Sequence, residues 1–293
     1  MLQRKLLTMQ CLIIYNEEDA EYNEWFINHL IECLEKYDIE SKLLIREKIF
    51  FDGLSHDIKY DGDAIPLPDA IVNRTRDFTV SMFFEDAGVK VFNSTFITMI
   101  GNDKYMAVDF VKSTGAPVPE SYLLKKGERF DTVIDKEMVV KSLHGHGGSE
   151  VYSVSSNEDL DVIRKRTEDD MILQEKLKPS EDEYPLGKDL RVYIVGNKIV
   201  AGMMRSSDTD FRSNFSLGGK AEVHELNEEE KSIVKKITDA VFIDHAAIDL
   251  IYDKGTPVFN EIEDMCGSRM LYENTDIDIA DMYAKHIADT LKG

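Results

Sequence analysis

A chain of 293 residues has the length for one large domain or for two to three lobes, with ample core. Its 56 acidic against 35 basic residues leave a formal charge of −21, which argues against a nucleic-acid partner, because phosphate-backbone binding relies on a basic surface. Three scattered cysteines (Cys11, Cys33, Cys266) form no CxxC pair, so a reduced compartment fits better than a disulfide scaffold. Arg4 and Lys5 precede an apolar run in the manner of a signal peptide. Gln10 interrupts that run, acidic residues follow at once, and no small-residue cleavage site is present. No run reaches membrane-spanning length, so the expectation is a cytoplasmic protein with no membrane partner.

The chain opens with a buried strand over 11–15 and a helix over 21–37. Trp25, Phe26, Leu30, Cys33, Leu34 and Tyr37 share one face of that helix. Strands are expected at 41–45, 69–73 and 89–93, with a helix over 80–87 stopped by Gly88. Residues 52–68, rich in Gly, Asp and Pro, read as loop. Strands alternating with helices give a small α/β lobe of about a hundred residues.

A second unit starts near Asp103 with a helix over 103–114, ended by Gly115, Pro117 and Pro119. Two β-branched runs, 138–141 and 151–154, then flank Gly145, Gly147 and Gly148. The pattern is that of an antiparallel pair joined by a glycine-rich flap. Glycines let backbone N–H groups turn towards an anion, and Lys141 can place an ammonium over the same anion. The loop matches neither the P-loop nor the dinucleotide fingerprint, and a plain hairpin turn is the competing reading. A helix over 156–166 with Asn157 as cap, a strand over 171–175 and an acidic, Pro-containing loop over 179–185 follow.

Strands over 191–195 and 198–201 flank the hairpin signal Gly196-Asn197, and Gly218-Gly219 marks another turn. Asn227 with Glu230 makes a capping-box start to a helix over 228–241. Strands over 246–252 and 258–262 surround a turn, and a helix over 279–291 closes the chain. In the last strand pair Glu261 and Glu263 alternate with Ile262, so both point to one side, and Asp249 across the hairpin can share it. Clustered carboxylates repel unless something positive sits between them. Oxygen-only ligands of this kind suit Mg²⁺ or Mn²⁺. The bland alternative leaves the glutamates on a solvated face. Arg191, Arg205, Arg212 and Lys220 form a cationic group able to grip phosphate or carboxylate, against simple surface pairing. His144 and His146 read as loop histidines rather than a metal pair.

Taken in order, Lys104, Lys141 with GHGGSEV, the run Gln174-Glu175-Lys176-Leu177, KDLRVYIVG, Arg205, DFRSNFSLGG, Asp249 and Glu261 resemble the ATP-grasp ligases, and among them the RimK-like branch that adds glutamate to protein or small acceptors. The likeness covers about residues 69–267. It implies an ATP-grasp fold, with an α/β N-terminal lobe (1–101) and two α+β lobes (102–177 and 178–293) that clamp ATP. It also implies that Lys104 and Lys141 contact the phosphates and that Gly145, Gly147, Gly148 and Ser149 close over them. Gln174 and Glu175, with the backbone at Lys176 and Leu177, would hold adenine, and Asp189 would lie on the ribose side. Arg212, Ser213 and Asn214 would sit by the γ-phosphate, Arg191, Arg205 and Asn214 by the substrate, and Asp249, Glu261 and Glu263 on Mg²⁺. Relatives carry Asn where this chain has Glu263, and their small-Pro-Gly turn is replaced by Asp264-Met265-Cys266-Gly267. The extra charge tightens a metal site and repels an incoming carboxylate.

The implied reaction is ligation of a small-molecule or peptide carboxylate to an amine through an acyl phosphate. Lys141, Arg205 and Arg212 are its catalytic candidates, and Asp208 or Asp210 are weak candidates for a general base. The alternatives are an ATP-grasp kinase acting on a hydroxyl and a nucleotide-binding module without turnover. Self-association is left open. All three readings require the basic residues and the acid trio to meet in one cleft.

Overall fold

The computed structural model describes residues 9–145, 150–178, 187–207 and 220–293. Strand β1 (Met9–Tyr15) leads through helices α1 (Glu17–Tyr22) and α2 (Glu24–Lys36) to β2 (Ile39–Ile45). Three short strands follow, β3 (Ile49–Phe51), β4 (Ile58–Tyr60) and β5 (Asp63–Ile65). Then come β6 (Ala70–Arg74), α3 (Phe78–Asp86), β7 (Lys90–Phe92) and α4 (Thr95–Gly101). Strands pair in parallel in the order β2-β1-β6-β7. Residues 11–15 are all buried, as a parallel strand covered on both faces requires.

The region read as loop over 52–68 holds β4 and β5, which with β3 make an antiparallel sheet of three. Each strand is three residues long, too short for any periodicity to register. The helical face expected for α2 buries Phe26, Ile27, Leu30, Cys33 and Leu34. Trp25 does not join it: the ring is 61% exposed and lies against His29 and Tyr272 at the rim.

Helix α5 (Lys104–Ser113) is capped by the Asp103 carboxylate, which accepts from the Met106 N–H. Strands β8 (Ser121–Leu124), β9 (Met138–Ser142) and β10 (Val151–Val154), helix α6 (Asn157–Arg164) and strand β11 (Met171–Glu175) form a second unit with antiparallel order β10-β9-β11-β8. Ser156, not Asn157, caps α6: its hydroxyl accepts from Asp159, while the Asn157 side chain braces Ile134 and Thr132.

The largest sheet runs β14-β13-β12-β15-β16, from β12 (Gly187–Val195), β13 (Lys198–Ser207), β14 (Lys220–His224), β15 (His245–Asp253) and β16 (Thr256–Glu263). Helix α7 (Glu228–Ala240) precedes β15, and α8 (Arg269–Asn274) and α9 (Ile279–Lys292) follow β16. One face of this sheet, with Leu190, Val192, Ile194, Ile248, Leu250, Phe259 and Ile262, shares a core with α5 and α7. On the other face Tyr193, Met203 and Ala247 join the core of β1, α2 and α9. Among the described residues no helix is long and apolar enough to cross a membrane.

Two buried polar ties hold the end of this sheet to the first one. Asn93 exchanges hydrogen bonds with both the N–H and the carbonyl of His245, at 2.9 and 2.6 Å. Arg74 reaches the carbonyls of Asp264 and Cys266, just beyond β16, at 3.1 and 3.3 Å, and meets Nδ1 of His245 at 3.1 Å. Burial, helped by the Arg74 charge, keeps His245 well below the usual imidazole range, so this ring stays neutral and accepts from the guanidinium.

Helix α7 carries the complete capping box: Asn227 Oδ1 accepts from Glu229 and Glu230, and the Glu230 carboxylate returns to the Asn227 N–H. The same carboxylate accepts from Tyr252 at 2.8 Å, tying the helix start to β15. Asn227→Ala is expected to lower stability by about 1 kcal/mol. A denaturant melt should show a lower midpoint with an unchanged slope; an unchanged midpoint would mean that the cap contributes nothing here.

Candidate active site

The site is a row of side chains across the largest sheet, set by strand register. Arg205 on β13 lies opposite Asp189 on β12, Arg191 lies opposite Asp249 on β15, and Asp249 lies opposite Glu261 on β16. Because alternate residues share a face, all five point to the same side, and Glu263 joins them two residues on. The register shifts between Asp249 and Leu250, where Glu261 and Phe259 are their respective partners, so Asn260 is an unpaired extra residue. Bulges of this kind re-aim a side chain. Here the Asn260 side chain turns to the neighbouring unit and accepts from Lys141 Nζ at 3.1 Å.

Asp249 is wholly buried, and its carboxylate is enclosed by guanidinium groups. Arg191 grips it with Nε at 2.9 Å and Nη2 at 2.6 Å, and Arg205 Nη2 adds a bond of 2.7 Å. Arg205 Nε also donates to Asp189, and Arg191 Nη2 lies 2.7 Å from Glu263. Burial alone would raise the Asp249 pKa, but the two arginines overcome it and hold the carboxyl below the usual range. Glu263 moves the other way. Burial pushes it up, Arg191 offsets only part of that, and the charges of Asp249 and Glu261 add to the rise.

Four carboxylates face two guanidiniums in this row, an excess of two negative charges. Oxygen atoms of Asp249, Glu261 and Glu263 lie within 4.8 Å of one another. An all-oxygen set with that charge fits a hard divalent cation. The three do not fit it equally. A carboxylate has about four lone-pair positions, and Asp249 already uses three, leaving one on Oδ1. Glu261 and Glu263 are the principal donors on offer.

Above the acids stand the lysines. Lys141 lies within electrostatic reach of Glu261 and Lys104. Burial lowers its pKa to about 8, with Glu261 opposing and Lys104 reinforcing the shift. Lys104, at the start of α5, donates from Nζ to the Gly145 carbonyl, three residues beyond β9. A Cβ at Gly145 would stand 3.0 Å from Glu150 Oε2 and 3.1 Å from Ser142 Cβ, so close approach favours glycine there. His144 is a loop histidine, its ring bonded to the Asn102 carbonyl.

Gln174 is buried on β11 and bonded to Ser121, while Glu175 pairs with Lys136 at 2.9 Å. The Lys176 N–H donates to the Glu137 carbonyl, and Leu177 is half-buried beside it. Asp189 is buried and bound to Arg205, and Lys220 opens β14. His146, Gly147, Gly148, Ser149, Asp208, Asp210, Arg212, Ser213 and Asn214 lie outside the described residues. Asn260 is the participant that sequence reasoning missed. Its signal was the break in strict alternation, two adjacent polar residues between Phe259 and Ile262.

The RimK-like ATP-grasp domain model matches residues 101–287. A probable alpha-L-glutamate ligase of Histophilus somni is 28% identical over 243 residues, covering 78% of this chain and 79% of that protein. Among solved structures, D-alanyl-alanine synthetase A from Vibrio cholerae superposes with a TM-score of 0.72 at 14% identity, covering 98% of this chain and all of that one. ATP-grasp ligase PsnB, complexed with a phosphomimetic variant of its minimal precursor, Mg and ADP, gives 0.65 at 15% identity, covering 97% and 99%. These superpositions extend over both antiparallel units described above. The chain belongs to the RimK-like ATP-grasp family.

Proposed function

We propose that the protein is an ATP- and Mg²⁺-dependent ligase that joins a carboxylate to an amine through an acyl phosphate. The observation that carries this reading is the convergence of Lys141 with the acids of β15 and β16 in one charged site, bridged by the Lys141–Asn260 hydrogen bond. A carboxylate is a poor electrophile, and transfer of the γ-phosphoryl group to its oxygen makes phosphate a leaving group that an amine displaces. Lys104 and Lys141 hold the phosphates, and their ammonium groups neutralise charge that develops on the transferred group. Glu261 and Glu263, with the remaining lone pair of Asp249, would hold Mg²⁺, which supplies further neutralisation of phosphate oxygens when bound. Arg212, Ser213 and Asn214 are assigned to the γ-phosphate side, and Gln174 to Leu177 to the adenine, on family likeness.

Arg205 engages Asp189 and Asp249 through Nε and Nη2. We assign its Nη1 to the substrate carboxylate or to the tetrahedral intermediate, with Arg191 keeping the row in register. The relative's name makes glutamate the first amino acid to test, alone and with peptide acceptors. Three free, buried cysteines accord with a reducing cytoplasmic setting.

With ATP, Mg²⁺ and the true carboxylate, added hydroxylamine should yield a hydroxamate. ADP release without hydroxamate for every acid tried would count against an acyl phosphate. Glu261→Gln should abolish Mg²⁺-dependent turnover and leave the circular dichroism spectrum unchanged; retained turnover removes the metal assignment. The depressed Lys141 pKa also sets a direction. Its phosphate-holding ammonium is present below about pH 8 and lost above it, so nucleotide affinity should fall as pH rises through that value. Lys141→Arg should move this fall to higher pH, and a flat affinity profile from pH 7 to about 9.5 would exclude Lys141 as a phosphate ligand.

A further inference from the structure

Helix α2 and the start of α9 bring together three side chains of a different chemical character from the charged row. His29 and Cys33 are four residues apart on α2 and so lie on one helix face. Asp278, the N-cap of α9, meets them from the other helix. His29 Nε2 stands 2.8 Å from Asp278 Oδ2 and 3.9 Å from Cys33 Sγ, and ligand atoms of all three lie within 4.8 Å of one another. Asp278 Oδ1 lies 3.0 Å from His29 Nε2 and also accepts from the Tyr272 hydroxyl at 2.9 Å and the Asp281 N–H at 3.1 Å, so Oδ2 is the oxygen with capacity left for a metal.

We propose that His29 Nε2, Cys33 Sγ and Asp278 Oδ2 form a zinc site, with water in the fourth position. One nitrogen, one sulfur and one carboxylate oxygen are ligands that Zn²⁺ takes and that Mg²⁺ does not favour. Tetrahedral Zn²⁺ with ordinary bond lengths sets its ligand atoms about 3.4–3.6 Å apart. The His–Asp pair therefore opens by about half an ångström and the His–Cys pair closes by about a third. Both are side-chain adjustments. Cys33 is fully buried while His29 and Asp278 are partly exposed, so the ion has a route in and an inner thiol to bind. Glu32 lies 4.0 Å from His29 Nδ1, beyond hydrogen-bond reach, and its exposed side chain can close that gap to orient a metal-binding imidazole. Lys36 Nζ, 3.6 Å from Cys33 Sγ and 3.5 Å from Asp281 Oδ1, must swing aside; its side chain is 57% exposed, and Asp281 offers it a partner away from the thiol. On binding, the thiol proton leaves to solvent as Sγ–Zn forms. The ion would join two helices 249 residues apart in the chain, so it fastens the C-terminal helix to the first core.

The test uses the full chain, stripped with chelator and titrated with Co²⁺ and then Zn²⁺. One equivalent of Co²⁺ should produce a thiolate-to-cobalt charge-transfer band that Zn²⁺ removes and a large excess of Mg²⁺ does not. The single tryptophan, Trp25, stacks on His29 with ring centroids 5.2 Å apart, so its fluorescence should change over the same titration. Zn²⁺ should also raise the melting temperature. Cys33→Ser should abolish the band, and Glu261→Gln should leave it intact, which separates this site from the active-site acids. Asp278→Asn retains a helix-capping oxygen and hence the fold, and should weaken Zn²⁺ by about tenfold or more. No charge-transfer band in the native chain, a band that survives Cys33→Ser, or full Zn²⁺ affinity in Asp278→Asn would each overturn the proposal.

Discussion

The enclosure of Asp249 by Arg191 and Arg205 is the constraint on which the site rests. A buried ionised carboxylate is costly unless it is paired and fully hydrogen-bonded, and here three guanidinium bonds meet that requirement. Removing one partner from such a group costs about 3–5 kcal/mol, because the others are left buried and uncompensated. The charge row is thus also a structural clamp that crosses β13, β12 and β15. It leaves Glu261 and Glu263 at the edge as the acids with coordination capacity to spare.

Glu263 occupies a position where the resemblance leads one to expect Asn. The substitution adds a negative charge, yet the structure hands part of that charge to Arg191 at 2.7 Å. Arg191 thereby links the buried acid to the accessible one. A carboxylate substrate approaching this edge meets a partly neutralised Glu263 rather than a bare one, so the repulsion expected from sequence is moderated by a strand neighbour.

Period-two alternation was enough to place Asp249, Glu261 and Glu263 together, and the two β-branched runs were enough to pair β9 with β10. Sequence reasoning expected the basic and acidic groups to meet across a nucleotide and ion. Direct pairing of Arg191 and Arg205 with Asp249 depends on cross-strand register, which no single strand encodes. The same limit explains the smaller misses. Trp25 fits the apolar stripe of α2 by spacing, but its ring sits at the helix rim against His29 and Tyr272. Ser156 and Asn157 are both good caps, and only the tertiary partners of Asn157 decide between them. Turn residues in 52–68 mark real turns, with Asp61 and Gly62 at positive φ between β4 and β5, but they hide the three-residue strands that the turns connect.

The bulge at Asn260 has an arithmetic consequence. Phe259 and Ile262 both face the apolar core, so a regular strand would place an odd number of residues between them, and the pair 260–261 is one too many. Excising Asn260 would restore uninterrupted pairing and keep Glu261 and Glu263 outward and Ile262 inward. It would remove the bond to Lys141 that ties β9 of one antiparallel unit to β16 of the other. Asn260 is therefore an inserted spacer that the sheet tolerates at no cost to its inside-outside pattern, and it supplies a tether between the unit that carries Lys141 and the unit that carries the acids.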